Sequence, residues 1–97
     1  VGRMARDAAF LRALGRRLRG LRRKRGLTQA ALARRCDTTI RYVSMLETAR
    51  RNPTVLVLND IARDGLAVPL HSLLTLPEGA GAGRRGSLRR AARRAPQ

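Results

Sequence analysis

Ninety-seven residues suffice for one small domain and some tail. Twenty-two Lys and Arg against 6 Asp and Glu give a formal net charge of +16, so the chain repels itself and seeks polyanions, either nucleic acid or an anionic membrane surface. A single cysteine excludes an internal disulfide framework and suits a reducing compartment. No apolar run approaches the roughly 20 residues of a membrane span, and no apolar h-region marks a secretory signal.

Residues 1–9 show no helix start signal and read as an N-terminal segment that frays. Phe10 to Arg25 reads as the first helix, because Phe10, Leu14, Leu18 and Leu21 are spaced by four, four and three and form one apolar stripe. Arg16, Arg17, Arg19, Arg23 and Lys24 fall on its other faces. That basic run reads either as a solvated face or as a rim turned toward phosphates. Gly15 and Gly20 weaken the helix by about 1 kcal/mol each relative to Ala, and Gly26 suits its C-terminal closure.

The second helix is expected over about Thr28 to Cys36, with Thr28 as N-cap and Leu32, Ala33 and Cys36 on one face. Cys36 reads as a core thiol, since no His or metal-spaced ligand accompanies it. Asp37 interrupts, and Asp tolerates the left-handed conformation of a tight turn. Thr39 caps a third helix running to Thr48, with Val43 and Leu46 facing inward. Two short helices joined this way make a helix-turn-helix when the second is polar and basic outside.

The outer side of that third helix offers Ile40, Arg41, Ser44 and Met45 as base-contacting candidates. Arg41 has the fork that matches guanine O6 and N7, and Ser44 can donate or accept at several bases. Ile40 suits a thymine methyl or, alternatively, a staple or dimer contact. Met45 suits a base edge or serves as a flexible filler. Arg50, Arg51, Asn52 and Pro53 make a loop, and Pro53 drives Asn52 out of the helical region.

Thr54 caps a fourth helix with Val55, Leu58, Ile61 and Ala62 on its inner side. Gly65 is expected to end it, with Leu66 and Val68 still in the core, and Leu70 to Leu76 to form a short fifth helix through Leu70, Leu73 and Leu74. His71 reads as a surface residue. From Pro77 the composition changes: six Arg (84, 85, 89, 90, 93 and 94) lie among Gly, Ala and Ser, which reads as a disordered basic tail.

Gly26-Leu27-Thr28-Gln29, Leu32-Ala33, Thr39, Tyr42-Val43-Ser44, Leu46-Glu47, Arg50-Arg51-Asn52-Pro53-Thr54 and Ile61-Ala62 stand in an order and spacing that resembles the Cro/repressor-type, or XRE, helix-turn-helix family over roughly residues 11–76. The resemblance implies an all-α, compact five-helix lambda-repressor-like domain over 10–76, flanked by the segment 1–9 and the basic tail 77–97. It implies binding of double-stranded DNA with the third helix in the major groove, transcriptional regulation as a repressor, and a cytoplasmic, nucleoid-associated site of action. By the same resemblance Gln29, Thr39, Tyr42, Arg50, Arg51 and Asn52 meet phosphates, and Arg22 pairs with Glu47 as a structural link.

The chain departs from the pattern at Ala31, where Glu is usual, at Ala49, where Gly usually closes the third helix, and in 63–68, which reads as one residue longer. Two competing readings are an antitoxin-type or other protein-binding function using the tail, and a non-specific polyanion or RNA binder. Both a homodimer and a protein partner are compatible with the sequence; a membrane partner is not expected. No paired carboxylates, nucleophile–base set, phosphate-cradling loop or metal-ligand cluster is visible, so neither enzymatic activity nor a cofactor is expected.

Overall fold

Threonines start three of the helices. Thr28 Oγ1 accepts from Ala31 N–H at 3.0 Å, and Thr39 and Thr54 do the same for Tyr42 and Val57 at 3.1 Å. Each satisfies one of the backbone donors that a helix start leaves without an internal partner. In the computed structural model, which describes residues 2–77, the order is α1 Arg3–Lys24, α2 Gln29–Arg35, α3 Ile40–Glu47, α4 Val55–Asp60 and α5 Leu70–Leu73. One π-helical turn, Ile61–Gly65, prolongs α4, and the described residues contain no strand. Apart from Pro77, the tail expected over 77–97 lies outside the described residues.

The first three helices stop in one way. Gly26 (φ 70°), Asp37 (φ 54°) and Ala49 (φ 62°) turn left-handed after α1, α2 and α3. The following N–H then reaches back five residues, from Leu27 to Arg22 O (3.0 Å), Thr38 to Ala33 O (2.9 Å) and Arg50 to Met45 O (2.8 Å). This closure satisfies carbonyls the helix itself leaves open. Ala49 keeps the turn although its Cβ disfavours it by roughly 1–2 kcal/mol.

Three expectations are corrected. α1 begins at Arg3 rather than Phe10, because Ala5, Ala8 and Ala9 are strong helix formers and Arg3 and Asp7 form an i,i+4 pair at 4.0 Å. Its inner stripe starts at Leu11, which packs on the core, whereas Phe10 is 41% exposed. In α4, Val55 is 67% exposed: the first turn runs past the elements that cover Leu58, Ile61 and Ala62. α5 ends at Leu73, leaving Leu74 as an exposed residue after it.

The residue that lengthens 63–68 is absorbed in the π-helical turn. Leu66 N–H bonds to Ile61 O at 2.9 Å, a five-residue step, and Val68 N–H reaches Ala62 O at 2.9 Å. Wide turns of this kind accommodate an insertion without breaking the helix. Leu66 remains fully buried and Val68 packs against the core, as the sequence predicts. Gly65 allows that turn to lie on α2: a Cβ there would stand 2.5 Å from Leu32 Cδ1 and 2.7 Å from Cys36 Sγ.

Leu18, Leu32, Val43, Leu66 and Leu73 are the fully buried centre, contributed by α1, α2, α3, the segment after α4, and α5. Cys36 is half-buried against this core. α1 and α3 approach closely because residue 15 has no side chain: a Cβ at Gly15 would lie 2.6 Å from Glu47 O and 2.7 Å from Leu46 O.

Candidate nucleic-acid interface

With Val43, Leu46 and Glu47 buried, the pitch of α3 turns the intervening positions outward. Ile40 is 52% exposed, Arg41 is exposed, and Ser44 and Met45 are half-buried beside them. The four base-contacting candidates therefore share one side of α3. Thr48, not among the candidates, joins them at the end of the helix, seven residues after Arg41 and four after Ser44. Its hydroxyl donates to Ser44 O at 2.8 Å, so outward it offers only lone pairs. The i+7 spacing is the signal that would have found it.

Beneath this side lies a buried ion pair. Arg22 Nε donates to Glu47 Oε2 at 2.6 Å, and the Nη2 amine donates to Oε1 at 3.0 Å. The remaining Nη1 amine donates to Leu27 O at 2.8 Å. Both side chains are almost fully buried. The hydrogen bond to Glu47 holds Arg22 charged above the ordinary arginine range; burial opposes that shift, and the charge of Glu47 adds to it. Fork-to-carboxylate geometry ties the start of α2 and the end of α3 to α1. Because the only carboxylate of α3 is turned inward and neutralised, no acid stands on its outer side.

The phosphate candidates fall into three groups. Thr39, Arg50, Arg51 and Asn52 are exposed at the two ends of α3. Thr39 Oγ1 is used as an acceptor by the cap, which leaves its proton free for an outside oxygen. Arg51 also lines, with Leu11, Pro53 and Leu58, a small apolar hollow. Gln29 is half-buried and its Nε2 donates to Glu47 Oε1 at 3.1 Å, so one of its two amide protons is engaged inside the fold. Tyr42 stands apart: its ring is half-buried against the core, facing Val57 and Ile61 across a hollow that includes Cys36.

Three arginines are braces, of which only Arg17 belongs to the basic run of α1. Arg17 Nε donates to Ser72 O at 2.9 Å and anchors α5, Arg35 donates to Gly65 O at 3.2 Å, and Arg25 reaches Ala67 O at 3.4 Å. The acids Asp60 and Asp64 lie instead near Cys36. Burial, followed by the charges of Asp64 and Asp60, pushes its thiol above the ordinary range, with Arg35 opposing. Charge is thus divided, with cations and neutral polar groups around α3 and carboxylates near the end of α2.

A short capped helix, a left-handed turn at Asp37 and a second capped helix with an outward polar side define a helix-turn-helix. The helix-turn-helix domain family matches residues 13–69, and the chain belongs to it. It is 54% identical over 44 residues, 45% of this chain and 9% of the relative, to the HTH-type transcriptional regulator PrpR of Mycobacterium tuberculosis (strain ATCC 25618 / H37Rv). It is 46% identical over 43 residues, 44% of this chain and 56% of the relative, to the uncharacterized HTH-type transcriptional regulator y4dJ of Sinorhizobium fredii (strain NBRC 101917 / NGR234). The matched stretch thus spans 9% and 56% of these two relatives. No solved structure matches the chain. Among the described residues no His, Cys, Asp and Glu group could hold a metal ion, and no helix is long and apolar enough to cross a membrane.

Proposed function

We propose that the chain binds double-stranded DNA with α3 in the major groove and regulates transcription as a repressor, acting in the cytoplasm on the nucleoid. The observation that carries this is the acid-free outer side of α3, centred on exposed Arg41 and held in place by the inward Arg22–Glu47 pair. Arg41 reads guanine through two parallel bonds, Ser44 and Met45 meet neighbouring base edges, and Ile40 covers a thymine methyl. Thr39 donates to one phosphate, Arg50, Arg51 and Asn52 grip others, and the free amide proton of Gln29 supplies a further contact. Tyr42, seated toward α4, reaches phosphate only through its hydroxyl at the edge. A domain that occupies a promoter in this way represses by exclusion of other proteins.

The experiment compares affinity for a duplex selected from a random pool with affinity for bulk duplex, at fixed salt. Arg41→Ala is expected to cost roughly 1–3 kcal/mol on the selected site and to flatten discrimination at one base pair per half-site. Arg50→Ala is expected to weaken both duplexes about equally, as loss of a phosphate contact does. An unchanged specific-to-bulk ratio for Arg41→Ala overturns the assignment of the base reader. A wild-type ratio near one favours a polyanion or RNA binder.

A further inference from the structure

The outward side of α1 carries Arg12, Arg16, Arg19 and Arg23, all exposed. Steps of four, three and four residues place them within about 60° of arc along roughly 16 Å of helix. The buried side of α1, with Leu14, Leu18 and Leu21, is on the opposite half of the wheel. α3 packs against α1 at Gly15 and Arg22, roughly 40–60° round the helix from the nearest edge of the stripe. Among the described residues none of the four guanidinium groups has an ion-pair or hydrogen-bond partner, unlike the bracing Arg17, Arg25 and Arg35. Like charges at i,i+3 and i,i+4 destabilise a helix, and a line of opposite charge relieves that strain.

A second observation points the same way. Thr75, Leu76 and Pro77 flank a groove with Ala13, Arg16, Arg17 and Gly20. Residues 75–77 thus lie beside Arg16 of the stripe. The positive charge of the α1 stripe, with no acid or apolar residue between its four arginines on that face, is complementary to an evenly spaced polyanion rather than to a folded protein partner.

We propose that the Arg12–Arg23 stripe is a second DNA-binding surface, which takes the phosphate backbone of a separate duplex while α3 holds the first. The inference rests on the major-groove docking of α3 and adds a bridging activity to it. Duplex DNA offers one phosphate per about 3.4 Å on each strand, so four arginines over this length find partners without distortion. Backbone contacts of this type are indifferent to sequence.

The test immobilises a duplex bearing the selected site, saturates it with the full chain, and measures capture of a free fluorescent duplex of unrelated sequence. Wild type is expected to capture the second duplex. The R12Q/R16Q/R19Q/R23Q variant, whose folding is checked by circular dichroism, is expected to hold the first duplex within about threefold and to capture at least about tenfold less of the second. Four phosphates also predict that capture by wild type falls with a log–log salt slope of about −3.6. Equal capture by the variant overturns the proposal, as does a parallel tenfold loss of the first duplex, which would put the stripe on the α3 docking face. Wild type that captures no second duplex but pellets with phosphatidylserine–phosphatidylcholine vesicles overturns it in favour of a membrane surface. An unchanged specific-to-bulk ratio for Arg41→Ala overturns only the base reader, whereas a wild-type ratio near one, with capture still lost by the stripe variant, refutes the docking of α3 and leaves the second surface standing.

Discussion

Gly15 and Gly20 lie on one helix, five residues apart, yet Ala at the two positions is expected to act with opposite sign. A Cβ at Gly20 meets nothing within 4 Å, so Gly20→Ala only removes the entropic weakness of glycine and stabilises by about 0.5–1 kcal/mol. A Cβ at Gly15 meets Glu47 O at 2.6 Å and Leu46 O at 2.7 Å, about 0.8 Å inside ordinary contact for the shorter. Those oxygens are backbone, and Leu46 O also accepts Ala49 N–H at 3.3 Å in the closure of α3, so neither can swing aside as a side chain does. Overpacking costs roughly 1–3 kcal/mol even where neighbours can shift. Taking the upper end and subtracting about 1 kcal/mol of helix propensity leaves Gly15→Ala destabilised by about 2 kcal/mol. In a domain of this size that lowers the melting temperature by roughly 10 °C. Urea unfolding followed by far-ultraviolet circular dichroism measures both variants. Gly15→Ala at or above wild-type stability refutes the close approach of α1 and α3, and a destabilised Gly20→Ala refutes the open space at residue 20. DNA affinity gives a second readout, because parting the helices displaces the end of α3 and with it the Arg50–Asn52 loop.

Two further perturbations probe the same framework. Arg22→Ala and Glu47→Ala are each expected to cost about 3 kcal/mol, since each leaves its buried partner without a counter-charge, and a double-mutant cycle should return a coupling of about 2 kcal/mol; additive effects would show that the two side chains act separately. Ala49→Gly is expected to stabilise by roughly 0.5–1 kcal/mol, because relief of the left-handed Cβ penalty exceeds the extra freedom glycine gives the unfolded chain. A loss of stability in the same urea experiment would show that residue 49 is not held at positive φ.

What the chain revealed without its fold was local. Thr28, Thr39 and Thr54 mark helix starts because a hydroxyl three positions before a free N–H is a short-range fact of sequence. Asp37 and Gly26 mark the stops for the same kind of reason. The outward set Ile40, Arg41, Ser44 and Met45 follows from the pitch of α3 once Val43 and Leu46 are taken inward, and the extra residue in 63–68 was legible as an excess over the resembled pattern. Tertiary structure decided whatever depends on which neighbour covers a position. Phe10 and Leu11 sit one residue apart at the edge of the apolar stripe, and only packing selects Leu11. Val55 has helical register with Leu58 and Ala62 but no element above it. The arginines of α1 read alike in sequence, yet the fold separates Arg17, which reaches Ser72 O, and Arg22, which pairs with Glu47, from a line of four with no partner among the described residues. Gly15 and Gly65 read as helix weaknesses or stops until α3 and α2 come within 3 Å of where a Cβ would stand. Periodicity tells which side of a helix is apolar; contact distances between helices distant in sequence arise only when the core closes.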